Sequence, residues 1–374
     1  MEPLARGGAV ARSGGPELAL CRSFKQQTIG VGVMKRTIAI GGPGLVLALI
    51  LTVVPASAQH VNFHGHMFGD YYWVGANHLD DIEGNNAFQF RQIYLTMDFE
   101  LGERWSARLR HEMSSPGDFS SAEKLDPGFE DAYLKWDNGR HEATLGLTET
   151  PTWGGVEPVW GYRAVEKTLL DLHGLGSSRD IGVTLKGSVD PAKKVRYHLM
   201  VANGNAVRSE TDPGKKVFLS LGFYPGKSVV FEVYGDYDDR PGDTNRYTLQ
   251  GFLAYQGARG RIGLQYVHQM RHVEEGPDVQ INGLSVFGST AVTSKVNGFL
   301  RFDRLFDPNP DGAAIPYIPF DPTAKSSLLI GGLEFQPHEQ VHVMPNVEVV
   351  LYDAVGGVRP DTDVIPRLSF YFTF

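Results

Sequence analysis

Val341-His342-Val343-Met344-Pro345-Asn346-Val347-Glu348-Val349-Val350-Leu351 sets Val341, Val343, Val347, Val349 and Leu351 on one face of an extended chain, and His342, Asn346 and Glu348 on the other. Successive side chains of a strand point to opposite faces, so this alternation predicts a strand. Four further stretches share the period. Residues 104–113 oppose Trp105, Ala107 and Leu109 to Ser106, Arg108, Arg110 and Glu112, and residues 179–188 oppose Ile181, Val183 and Leu185 to Asp180, Thr184 and Lys186. Residues 228–237 and 259–268 repeat the pattern, with Phe231 and Val233 against Glu232 and Asp236, and Ile262 and Leu264 against Arg261 and Gln265. Each is about ten residues long, the length of a tilted strand that crosses a bilayer.

Alternation alone also suits a soluble sandwich with one face on a core. Loop lengths separate the two. Short turns are expected at 102–103, 137–140, 190–193, 225–226, 257–258, 289–293 and 337–340. Longer Gly- and Pro-rich connections fall between them at 75–86, 115–128, 149–178, 203–214, 238–244, 272–278, 307–325 and 353–363. Short and long connections therefore alternate, as in a barrel threaded up and down with its short turns on one rim. The fold class is all-β, a transmembrane antiparallel up-and-down barrel of about 16 strands, short periplasmic turns and long external loops. The count depends on a strand at 280–288, without which its even parity fails.

The N-terminal region explains how such a chain is exported. Met34-Lys35-Arg36, an apolar run from Ile38 to Val54 and the small residues Ala56-Ser57-Ala58 have the order of a signal peptide, with cleavage expected before Gln59. Residues 1–33 lie upstream of this signal and read as a start assigned too early. Cleavage removes Cys21, the one cysteine, so no disulfide is needed in an oxidising compartment. It also removes six of 35 basic and two of 43 acidic residues, leaving a net charge of about −12. A chain that acidic is unsuited to nucleic acid. At the other end, Leu368, Phe370, Phe372 and Phe374 alternate with Ser369, Tyr371 and Thr373. This resembles the C-terminal segment by which the barrel-assembly machinery recognises outer-membrane barrels. Aromatic residues near strand ends, among them Tyr71, Tyr72, Trp73, Trp105, Trp136, Tyr255 and Tyr371, are expected to form bands at the lipid boundaries.

If the apolar face meets lipid and lipopolysaccharide, the other face lines a lumen. A barrel this wide is not filled by its own side chains, so a polar lining implies water and passive diffusion of small hydrophilic solutes or ions. The expected lining includes Arg104, Arg108, Arg110, Glu112, Asp131, Lys135, Asp180, Lys186, Arg261 and Arg301. The connection 149–178 is rich in aromatic residues for a loop in solvent. It is expected to fold into the pore and narrow it, with Glu157, Arg163 and Lys167 as polar contacts.

Several short motifs carry a family resemblance. Phe90-Arg91-Gln92-Ile93-Tyr94-Leu95 followed by Trp105-Ser106-Ala107-Arg108-Leu109-Arg110-His111-Glu112 resembles the first hairpin of the phosphate-selective porin O and P family. Glu130-Asp131-Ala132-Tyr133-Leu134, Arg179-Asp180-Ile181-Gly182-Val183 and Arg301-Phe302-Asp303 resemble later strands of the same family. The resemblance implies a sixteen-stranded porin, a homotrimer, with a constriction formed partly by the third external loop. Anion-selective members carry a dense basic ladder. Here the lining is mixed and the loop holds only Arg163 and Lys167, so phosphate selectivity is not carried across.

Other chemistries are weaker. His64-Gly65-His66 aims two imidazoles to one side about 7 Å apart, but no third ligand is near, and no metal site is assigned. Gly154-Gly155 lacks the strand-loop-helix setting of a phosphate loop and reads as a turn or close-packing site. No catalytic residue and no cofactor is assigned. The alternative to a channel is a closed or plugged barrel acting as receptor, adhesin or enzyme.

Overall fold

The computed structural model describes residues 61–374; the segment 1–33 and the export signal expected at 34–58 lie outside the described residues. Strands β1 (Val61–Trp73), β2 (Asn86–Glu100), β3 (Trp105–Ser114), β4 (Asp126–Asp137), β5 (His141–Glu149), β6 (Arg179–Ser188), β7 (Val195–Ala202) and β8 (Lys216–Phe223) form half of a closed barrel. β9 (Val229–Asp238), β10 (Arg246–Gln256), β11 (Gly260–Arg271), β12 (Val279–Ala291), β13 (Val296–Leu305), β14 (Ser326–His338), β15 (Val341–Tyr352) and β16 (Asp363–Thr373) complete it. All neighbours are antiparallel. β1 closes on β16 with His66 opposite Thr373 and Tyr72 opposite Arg367. Closure satisfies the backbone of every strand and leaves no edge, which a chain crossing lipid requires.

The strand expected at 280–288 is β12, and it is longer than alternation suggested. Ser289 pairs with Arg261 and Thr290 with Gly260, so the ladder runs into the turn expected at 289–293 and the strand ends at Ala291. Outward side chains such as Leu145, Ile262 and Leu300 are more than half exposed, giving the barrel an apolar outer face. Trp105 and Trp136 sit in register near the short-turn rim. Tyr72 and Tyr371 do not join the outer band. Tyr72 is buried beside the Arg367 guanidinium, and Tyr371 packs on His66 and His342, because each lies in the inward phase of its strand.

Two bulges break the alternation at chemically important places. The β1–β2 register shifts between Phe68 and Gly69, which leaves Arg91 as an extra residue between Phe90 and Gln92. The β3–β4 register shifts between Arg110 and His111, which leaves Glu130 between Phe129 and Asp131. A bulge lets two consecutive side chains share one face. Arg91-Gln92 and Glu130-Asp131 therefore both turn inward.

The interior is divided in two. Phe218, Phe252, Phe287 and Phe299 face inward from β8, β10, β12 and β13 and are buried. Against them packs the connection 150–178, here called L3, with helices α1 (Val156–Trp160) and α2 (Leu169–Leu172). Trp160 meets Phe287 at 5.5 Å and Phe299 at 6.2 Å, and Tyr162 stacks on Phe299 at 4.3 Å. Leu169, Leu170 and Leu172 are buried too, each such side chain contributing roughly 1.5–3 kcal/mol. The connection 306–325, L7, adds Ile315, Ile318 and Phe320 to this dry half. Inward polar residues of β8 to β16, such as Glu232, Gln265, Arg301 and Arg367, are buried, whereas those of the other wall, β3 to β6, line an open cavity.

Candidate functional site

The polar wall and the edge of L3 enclose a cavity of about 510 Å³. Basic side chains come from β3 (Arg108, Arg110), β4 (Lys135) and β6 (Arg179, Lys186), and L3 contributes Trp153, Gly154, Glu157 and Pro158 from the opposite side. None of these cations stands alone. Arg179 Nε lies 2.7 Å from Asp131 Oδ1, and Arg110 and Arg108 approach Asp131 Oδ2 at 3.3 and 3.8 Å. Arg108 also donates to Asp98 at 2.7 and 3.1 Å, and His64 Nε2 lies 2.9 Å from the same carboxylate. Lys186 donates to Glu149, and Lys135 lies 3.7 Å from Glu142. The wall is a lattice of ion pairs with Asp131 at the meeting point of three guanidinium groups.

L3 is fixed by donors and acceptors from across the barrel. Arg91 Nη1 donates to the Val165 carbonyl at 2.5 Å and pairs with Glu166 at 3.0 Å. Gln269 donates to the Leu175 carbonyl at 2.6 Å and Asn309 to that of His173 at 2.9 Å. Arg301 donates to the Lys167 carbonyl, and Tyr162 donates to Glu334 at 3.0 Å. Glycines allow the closest approaches. A Cβ on Gly155 would stand 2.5 Å from the Glu232 carboxylate, and one on Gly161 would stand 2.2 Å from the Arg261 guanidinium. The Arg91 anchor belongs to a buried set in which Asp70 and Glu348 are shared with Arg367 at 3.2 and 2.8 Å. Arg367 also donates to the Tyr317 carbonyl of L7. On L3, burial pushes the Glu157 carboxyl above its usual range against the pull of Arg163.

The expected residues fall into three groups. Arg108, Arg110, Asp131, Lys135, Lys186 and Glu157 meet around the cavity. Arg104 lines a recess at the short-turn rim, and Glu112, Arg163 and Lys167 line another beneath the long loops. Asp180, Arg261 and Arg301 face inward but not onto the open cavity. Asp180 accepts from Ile181 and Gly204 backbone N–H groups at 2.7 and 3.0 Å. Arg261 lies over Tyr162, and Arg301 lies over Trp160 while paired with Asp303. All three brace loops. Sequence reasoning missed Arg91 and Glu130 because the bulges shift them out of phase, and Arg179 because it begins its strand. The apolar-polar-polar-apolar runs Phe90–Ile93 and Phe129–Ala132 were the available signal.

A family model for phosphate-selective porin O and P matches residues 62–216. No curated protein matches the chain. Among solved structures, an anion-selective porin from Comamonas acidovorans is 13% identical with a TM-score of 0.61, covering 84% of this chain and 100% of that one. OmpF of Salmonella typhi in complex with daunomycin is 12% identical with a TM-score of 0.60, covering 84% and 97%. The outer membrane channel DcaP of Acinetobacter baumannii is 12% identical with a TM-score of 0.59, covering 84% and 97%. At such identities the likeness concerns the fold. It is the fold of outer-membrane barrels of sixteen antiparallel strands.

Proposed function

We propose that this protein is an outer-membrane porin, a water-filled passage for small hydrophilic solutes or ions. The observation that carries the reading is the division of the lumen. One half is dry and filled by L3 and L7, while the other keeps a charged cavity of about 510 Å³ between β3–β6 and the L3 edge. A wall of charged groups left facing open space is what a conduction path needs. L3 is the constriction, with Glu157 on the passage and Arg163 and Lys167 just above it. Arg108, Arg110, Asp131, Lys135 and Lys186 line the path, joined by Arg179 and Glu149.

Charge pairing bears on selectivity. Each cation on the wall already faces a carboxylate, so the passage lacks the unpaired basic ladder that favours phosphate. A weak ion preference follows. The long loops lie outside the cell and the short turns face the periplasm, after export by the signal at 34–58 and insertion through the strand ending in Phe374. The Vibrio cholerae OmpT structures include a trimer form, and a homotrimer is the assembly proposed here.

Single-channel recording of residues 59–374 in a planar bilayer under a KCl gradient tests this reading. Stable conductance steps with a reversal potential near zero are expected. Silence from a barrel that shows its heat-dependent shift on a gel would point to a receptor, adhesin or enzyme instead.

A further inference from the structure

On the far side of the Glu157–Pro158 edge lies a second recess of about 350 Å³. Its walls are aromatic. Tyr371 stands 6.4 Å from Phe68, 5.8 Å from His66 and 5.4 Å from His342, ring centre to ring centre, and Tyr162 closes another side. Such a volume suits a single-ring solute, and an apolar recess with a few convergent polar groups is the usual form of a small-molecule site.

The polar groups at its edge differ in how far they are used. Glu334 is saturated, with His342 Nδ1 at 2.6 Å, Asn297 Nδ2 at 2.9 Å and Tyr162 Oη at 3.0 Å. Glu157 and Arg163 are only loosely paired. Their charged atoms lie 3.7 Å apart, and Arg163 lies 3.7 Å from Asp171, both beyond hydrogen-bond length. Among the described residues, neither side chain makes a hydrogen bond. A guanidinium over the Phe68 ring at 5.7 Å and a carboxylate thus sit side by side as a loose ion pair, with their hydrogen-bonding capacity left over, at the mouth of an aromatic recess.

We propose that this recess binds a small aromatic zwitterion, of which an aromatic α-amino acid is the simplest. The carboxylate meets the Arg163 guanidinium, the ammonium meets the Glu157 carboxylate, and the ring lies among Phe68, Tyr162 and Tyr371. Glu157 and Pro158 border both cavities, so the recess adjoins the passage at the edge of L3. The inference rests on the channel reading only for that route of arrival.

Calorimetric titration of the folded barrel in detergent micelles tests it, with L-phenylalanine as the probe. L-leucine, 3-phenylpropionate and phenethylamine, which lack the ring, the ammonium and the carboxylate respectively, are each expected to bind at least about tenfold more weakly. Arg163→Gln should erase the preference for phenylalanine over phenethylamine, and Glu157→Gln the preference over 3-phenylpropionate. Phe68→Leu should bring phenylalanine down toward leucine. A distorted loop would weaken all four ligands together and would not yield this pattern. No binding of phenylalanine, equal affinity for leucine, or preferences unchanged in both charge variants would overturn the proposal. Conductance is scored separately: a conducting barrel that binds no phenylalanine sinks this inference alone, and a silent barrel that binds it sinks the channel reading alone.

Discussion

Gly65 and Phe374 exchange both backbone hydrogen bonds, each at 3.0 Å, and the Phe374 ring lies directly over the glycine. A Cβ at Gly65 would stand 2.6 Å from that ring and 2.3 Å from the Tyr94 carbonyl. Phe370 covers Gly69 in the same way, 2.9 Å from where a Cβ would be. The barrel is therefore sealed at β1–β16 by rings laid into glycine notches on the outer face. Gly65→Val is expected to cost about 1–3 kcal/mol through overpacking, read as a lower temperature for loss of the compact band on a gel. An unchanged transition would mean that the seam tolerates a side chain there.

Arg91 is buried among Asp70, Glu166 and Glu348. Removing one partner from such a set leaves carboxylates without compensation, which typically costs about 3–5 kcal/mol. Arg91→Met should lower the urea midpoint in micelles and increase open-state current noise, because L3 loses its tie to β2. A quiet channel with lowered stability would show that the remaining anchors hold the loop alone.

Deleting residues 155–172 removes α1, α2 and the edge that bounds the passage. Single-channel conductance should rise several-fold in protein that still shows the heat shift. An unchanged value would place the constriction elsewhere.

Asp131 is the shared partner of Arg108, Arg110 and Arg179. Asp131→Asn keeps the shape and releases positive charge on the wall. The reversal potential under a KCl gradient should move toward chloride, and a movement toward potassium would contradict the assignment of the path.

Glu157 lies on L3, outside the crossing strands, and burial raises its carboxyl above the ordinary range. A carboxyl raised in the folded state contributes stability below the unfolded value, near 4.3, and loses it as pH rises through the folded value. Glu157→Gln should therefore stabilise the barrel at neutral pH and leave it unchanged near pH 4. The difference between variant and parent urea midpoints across that window measures the effect.

The architecture was legible because its signals are local. A period of two at Val341–Tyr352 and Arg179–Ser188 is written in adjacent residues, and loop length is read by counting. The interior was less legible. Phe218, Phe252 and Phe287 face inward from strands whose outer residues are also apolar, so the contrast that marks a polar lumen fades there. Arg301 and Asp180 carry the same charges as the residues lining the passage, and only the distant partners Lys167 and Gly204 reveal that they brace loops. Where a side chain is charged and inward, the sequence gives the face. The depth at which L3 meets that face is a long-range property.

The dry half of the lumen has a consequence for how such a protein can change. Strand number fixes a barrel's circumference, yet here the bore is whatever L3 and L7 leave unfilled. Throughput is thereby uncoupled from membrane anchorage. Substitutions in two loops can widen, narrow or re-aim the conduit while the outward apolar residues, the seam and the C-terminal strand stay as they are.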